Sequence, residues 1–163
     1  MSPGATYSPG AWFALVAPTV AVLIDPELPG ARLDELWRAV QAQQGADPAL
    51  EVISKAAVVG RPAFALAALD GSSVRLIIRG SLQVTVQDAL GRERQMPVVG
   101  EHAWREETVS ASDVLWFVRP GGRADGVALP IVSGAVLADV LAWQATVPAE
   151  AALPGPAEAA ALG

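Results

Sequence analysis

The sequence predicts an α+β fold, mainly β: an antiparallel β-sandwich or barrel of about nine or ten short strands with an inserted αα-hairpin after the second strand. Three observations predict it. Short runs rich in valine, isoleucine and aromatic residues recur along the chain, and several alternate apolar and polar side chains at a period of two. Glycine, serine and aspartate clusters punctuate them at the close spacing of all-β domains. One stretch alone, about residues 31–59, changes to a helical period. Of 163 residues 52% are hydrophobic, enough for one sizeable core and too many for a disordered segment.

Taken in order, residues 1–10 read as a flexible N-terminus and 11–145 as a single folded domain. The run AWFALVAPTVAVLI, residues 11–24, carries no charge. It is shorter than the roughly 20 residues a membrane-spanning helix needs, and Pro18 would break it as a helix. No basic side chain precedes Arg32, so the positive segment of a secretory signal is missing. Trp12–Val16 and Val20–Ile24 therefore read as two buried strands joined at Ala17-Pro18-Thr19. The expected protein inserts in no membrane and is cytoplasmic.

Asp25-Pro26-Glu27-Leu28-Pro29-Gly30 is a turn cluster. After it, Leu33, Leu36, Trp37 and Val40 fall on one helical face, with Gly45 as the expected left-handed residue past its end. Asp47 is the expected cap of a second helix with Pro48 at its first position, and Leu50, Ile53 and Ala57 line its inner side up to Gly60. From residue 63 the period is two. Ala63–Leu69 and Val74–Arg79 flank the hairpin turn Asp70-Gly71-Ser72-Ser73. Leu82, Val84 and Val86 alternate with Gln83, Thr85 and Gln87, a half-exposed strand. Trp104–Val109, Val114–Val118 and Val127–Val132 are further strands. Val136–Trp143 suits either period, and its strand neighbours favour a strand. Residues 146–163 are an Ala/Pro-rich linker or tail.

The chemistry-bearing residues are sparse. The net charge of −6 and pI of about 4.7 argue against nucleic acid and against an anionic membrane surface. There is no cysteine, so no disulfide and no thiolate. His102 is the one histidine, too few for a zinc site or for more than one Ser-His-Asp arrangement. No G-x-S-x-G elbow or phosphate-binding loop is present. Glu106 and Glu107 are adjacent on a strand, so they point to opposite faces and cannot act as a carboxylate pair. The expectation is a non-enzymatic protein with no cofactor and no metal, working as a protein-interaction or scaffold domain that binds a protein partner or itself. The alternative is a small-ligand-binding β-barrel with a cavity lined by some of Trp12, Trp37, Trp104, Trp116 and Trp143. The candidate interaction face is Arg75, Ile77 and Arg79, which share one side of a strand opposite Val74, Leu76 and Ile78 and mix guanidinium with aliphatic area.

The segments WFALVAPTVAVLI, RPAFALAALDGSSVRLIIRGSLQVTV and HAWREETV, with the helical hairpin between the first two, resemble the N-terminal domain of actinobacterial proteins that carry a forkhead-associated (FHA) domain further along the chain. The carrying features are the phenylalanine strand before Asp70-Gly71, the Arg79-Gly80 turn, and Trp104 followed by Glu106. The resemblance implies the N-terminal module of a longer signalling-type protein. The phosphothreonine-reading FHA domain itself is not in this chain, because none of its Gly-Arg pairs is followed by the serine and histidine that such a domain uses.

Overall fold

Period-two alternation explains the sheet and the change to a helical period explains the one interruption in it. A computed structural model describes residues 5–28, 30–56, 63–96, 104–122 and 127–146. His102, the expected helix end at Gly60 and the tail beyond 146 lie outside the described residues. The element order is β1 (Ala5–Val16), β2 (Val20–Ile24), α1 (Gly30–Ala42), α2 (Asp47–Ala56), β3 (Phe64–Asp70), β4 (Ser73–Arg79), β5 (Gln83–Gln87), β6 (Glu93–Gln95), β7 (Trp104–Ser110), β8 (Val114–Val118), β9 (Leu129–Ile131) and β10 (Gly134–Trp143). The ten strands form one sheet in the order β6-β5-β8-β10-β1-β2-β3-β4-β7, with β9 pairing β1. All its pairings are antiparallel. The fold is α+β and mainly β, as the sequence predicts, and the sheet curls into a half-barrel.

Alternation sorts the side chains onto two cores. Trp12, Ala14, Val16, Ala21, Leu23, Ala65, Ala67, Val74, Leu76 and Ile78 point inward and meet Val84, Val86, Leu115, Phe117, Leu141 and Trp143 from the other half. Small residues on β1, β2 and β3 leave room for the two tryptophans and Phe117, which is how a narrow barrel is filled. The opposite faces of β1 to β4 carry Leu15, Val22, Ile24, Phe64, Leu66 and Ile77, and the helical hairpin lays Leu36, Val40, Ala49 and Ile53 over them. A sheet apolar on both faces needs that second layer.

The curl brings the two ends of the strand order together. Gly80, Ser81 and Leu82 alone connect β4, near one end, to β5, near the other. So short a link holds Arg79 and Gln83 within about 14 Å. Gly80 is required there: its φ is 90°, and a Cβ would lie 2.5 Å from that of Ala63. Across the seam, Arg94 on β6 pairs with Glu107 on β7 at 3.3 Å, and Arg105 pairs with the same carboxylate.

Four details differ from the sequence reading. The N-terminal segment is not flexible from residue 5, because Ala5, Thr6 and Tyr7 pair β10 on one side and β9 on the other. The left-handed residue ending α1 is Gln43 (φ 51°) rather than Gly45, although Gly45 is left-handed too. Gln43 is held there by its side chain, whose Oε1 accepts from the Thr19 amide at 3.1 Å and the Thr19 hydroxyl at 3.0 Å. Asp47 opens α2, but its carboxylate accepts from Arg75 Nη1 at 2.8 Å instead of capping the helix. Finally, β6 has no counterpart in the sequence pattern, since Glu93-Arg94-Gln95 has no apolar residue to alternate. Its place is decided by pairing with β5.

Candidate functional site

The face expected to associate is a covered one. Ile77 is 0% exposed and belongs to the core beneath the helical hairpin, and Arg79 is 7% exposed opposite Phe64 in the strand register. Arg75, whose side chain is 33% exposed, donates to Asp47 at the start of α2 and, through Nε at 2.9 Å, to Glu106 on β7. The three residues lie together as predicted, yet they serve as the floor under the hairpin and the clip that holds it. Ile77 and Arg79 are buried, and Arg75 alone of the three is partly exposed. Glu106 and Glu107 do point to opposite faces, one to Arg75 and the other to Arg94 and Arg105.

Among the described side chains the tryptophans lie apart. Trp12 and Trp143 pack the inside of the barrel, Trp37 packs at the edge of the hairpin core, and Trp116 lies on the outer face of β8. The Trp143 indole N–H donates to the Ala17 carbonyl at 3.1 Å, which satisfies its one polar atom inside the core.

The outer face around Trp116 is the part of the sheet on which, among the described residues, no helix packs. Its surface is read from strand register. One row runs Gln95, Thr85, Trp116, Ala142 and Thr6 across β6, β5, β8, β10 and β1. On one side of it lies the row Gln83 and Val118, on the other Glu93, Gln87 and Val114. Gln83, Thr85, Glu93, Gln95, Trp116 and Val118 enclose an open groove of about 470 Å³, within the size range of ligand sites. Two amides, a hydroxyl, an indole and one carboxylate thus meet beside Val118, and no cation among the described residues lines the groove. The alternation of Gln83, Thr85 and Gln87 was legible in the sequence. That Glu93, Gln95 and Trp116 would join them was not: Glu93-Arg94-Gln95 has no apolar alternation to mark a strand, and Trp116 lies on β8, which is not consecutive with β5 in sequence.

The ionic groups elsewhere act structurally. Asp139 sits at a bulge where β1 and β10 lose register between Pro9 and Trp12. Its Oδ1 accepts from the Ala11 amide at 2.9 Å and from Arg119 Nε, and its Oδ2 from Arg119 Nη2 at 3.3 Å. Arg119 holds the Asp139 carboxyl below its ordinary range, with a further contribution from the Ala11 amide. Glu106 is likewise held low by Arg75. For Glu107 burial pushes upward, but hydrogen bonds from Arg105 and Arg94 outweigh it and the net shift is downward. A carboxylate whose folded pKa lies below its unfolded value contributes stability above the unfolded value and loses it as pH falls through the folded one. The melting temperature is therefore expected to be flat from pH 7 to about 5 and to fall below about pH 4. Asp139→Asn should lower the neutral-pH value and flatten the acid limb. An unchanged acid limb in that variant would show that this pair contributes nothing to it.

Among the described residues no group of three or more histidine, cysteine, aspartate or glutamate side chains could hold a metal ion. Among the same residues no helix is long and apolar enough to cross a membrane. Comparison with protein-family models, with curated proteins and with solved structures gives no match to the chain.

Proposed function

We propose that the chain is a non-enzymatic interaction domain that recognises a partner through the uncovered outer face of β6, β5, β8 and β10, centred on Trp116. One observation carries the reading. The two halves of the same sheet are treated differently: the outer face of β1 to β4 is aliphatic and lies under the helical hairpin, whereas that of β5 and β6 presents Gln83, Thr85, Glu93 and Gln95 beside a partly buried tryptophan. Tryptophan amid hydrogen-bonding side chains, with no large apolar cover, is the composition of a recognition surface rather than of a core. The ion pairs of Asp47 and Glu106, of Glu107 and of Asp139 clip the hairpin, the seam and the bulge, which supports a structural rather than a catalytic role for those carboxylates. The cytoplasm as its compartment belongs to the same proposal and rests on the proline-split apolar run with no basic side chain before Arg32. A place as N-terminal module of a longer FHA-containing signalling protein belongs to it too and rests on the residues that resemble that family.

The test is a photo-crosslinking amino acid placed singly at Gln83, at Gln95, or at the exposed Arg38 on the hairpin, with the protein expressed in its native host. Crosslinks to one defined partner, or to a second copy, are expected from the first two positions and not from Arg38. Crosslinking from Arg38 alone would assign recognition to the helical side and overturn the reading.

A further inference from the structure

We infer that the groove around Trp116 takes a proline-rich, extended peptide with a basic residue beside it. This rests on the reading of that face as the interaction surface and names its ligand class. A polyproline II segment makes no internal hydrogen bonds, so its backbone carbonyls remain as acceptors, and its preformed shape leaves little entropy to lose on binding. The groove offers matching donors: the amides of Gln83 and Gln95, the hydroxyl of Thr85 and the indole N–H of Trp116, beside Val118.

Trp116 is the register partner of Thr85, so a proline ring set against the indole lies beside the hydroxyl and amide donors of β5. Among the described residues Glu93 is the one ionised group lining the groove, and the chain as a whole carries a net charge of −6. Both favour an arginine or lysine flanking the prolines and disfavour an anionic ligand. A sugar would use the same polar groups, but stacking asks for a fully open ring face. Trp116 is partly buried between the strands of Thr85 and Ala142, a setting that suits a wedged proline better.

The experiment is a ¹⁵N NMR titration of the whole chain with synthetic peptides of about eight residues. One is proline-rich with a terminal arginine, one replaces its prolines by glycine, and one replaces its arginine by glutamate. Saturable shifts centred on residues 83–87, 93–95 and 114–118 are expected with the first peptide. Glycine replacement should weaken binding at least ten-fold and glutamate replacement several-fold. Trp116→Ala should cost about 30-fold, as truncation of a central aromatic does. Glu93→Gln, at an exposed position that leaves the core untouched, should erase the preference for arginine over glutamate. Absence of saturable binding, shifts centred elsewhere, equal binding of the glycine peptide, or selective binding of an oligosaccharide at this groove would each overturn the assignment. Crosslinks from Gln83 and Gln95 without peptide binding would remove the ligand class alone. Crosslinks that avoid the face would remove the interaction reading with it.

Discussion

Trp143→Ala is expected to destabilise the protein by about 3–5 kcal/mol, the range for truncating a large aromatic in a packed core. Trp143 is 2% exposed and ends β10 with Leu115 of β8 on one side and Ala5 of β1 on the other, so its indole joins three strands at one end of the barrel. The core it belongs to also contains Ala14, Ala21, Ala138 and Ala145, side chains too small to fill the space it would leave. The substitution also deprives the Ala17 carbonyl of its indole donor at the turn between β1 and β2. Chemical denaturation, followed by circular dichroism, should show the midpoint falling by this amount with an unchanged slope. Trp143→Phe separates the two contributions: it keeps most of the packing and loses the hydrogen bond, so it should cost distinctly less. A loss below about 1 kcal/mol for the alanine variant would mean that this end of the barrel is not the packed junction described here.

Gly10→Ala is expected to be nearly as damaging, by about 3 kcal/mol, at the upper end of what one added methyl group does. A Cβ at position 10 would fall inside the Asp139 carboxylate and against its backbone nitrogen, which is part of strand β10 and cannot move away freely. Relieving the clash means opening the bulge. Asp139 would then lose the Ala11 amide, and the close approach of Arg119 to the strand would go with it. The double variant Gly10→Ala with Asp139→Gly removes the clash with the carboxylate, though not that with the backbone nitrogen, and does not restore the ion pair. It should recover part of the lost stability in thermal denaturation, whereas an additive loss would place the effect of Gly10 elsewhere.

Much of this architecture could be read from residue patterns. The proline-split run at 11–24 becomes β1 and β2, and the Leu33, Leu36, Trp37 and Val40 stripe becomes the buried side of α1. Asp70-Gly71-Ser72-Ser73 is a two-residue hairpin with Gly71 at φ 67° in the first central position, where that turn needs it. These are local choices, made by side-chain volume, dihedral freedom and periodicity, and such choices leave their mark in the sequence. The extension of β1 back to Ala5 and the existence of β6 left no such mark. Pro9, Gly10 and the polar triad Glu93-Arg94-Gln95 have no strand propensity of their own, and they are extended because a neighbouring strand supplies the hydrogen bonds.

The candidate site divides along the same line. Alternation by itself determined that Arg75, Ile77 and Arg79 share one face and that Gln83, Thr85 and Gln87 share another. It did not determine which of the two faces is covered. That depends on where the curl of the sheet leaves β4 and β5 relative to the helical hairpin. The hairpin follows β2 and lies over β1 to β4, while three residues at Gly80 carry the chain around to the far end of the strand order, out from under the helices. A period of two is the same on both sides of a sheet, so only the packing of the second layer tells a core from a surface, and only strands brought side by side from distant segments set Trp116 among Gln83, Thr85, Glu93 and Gln95.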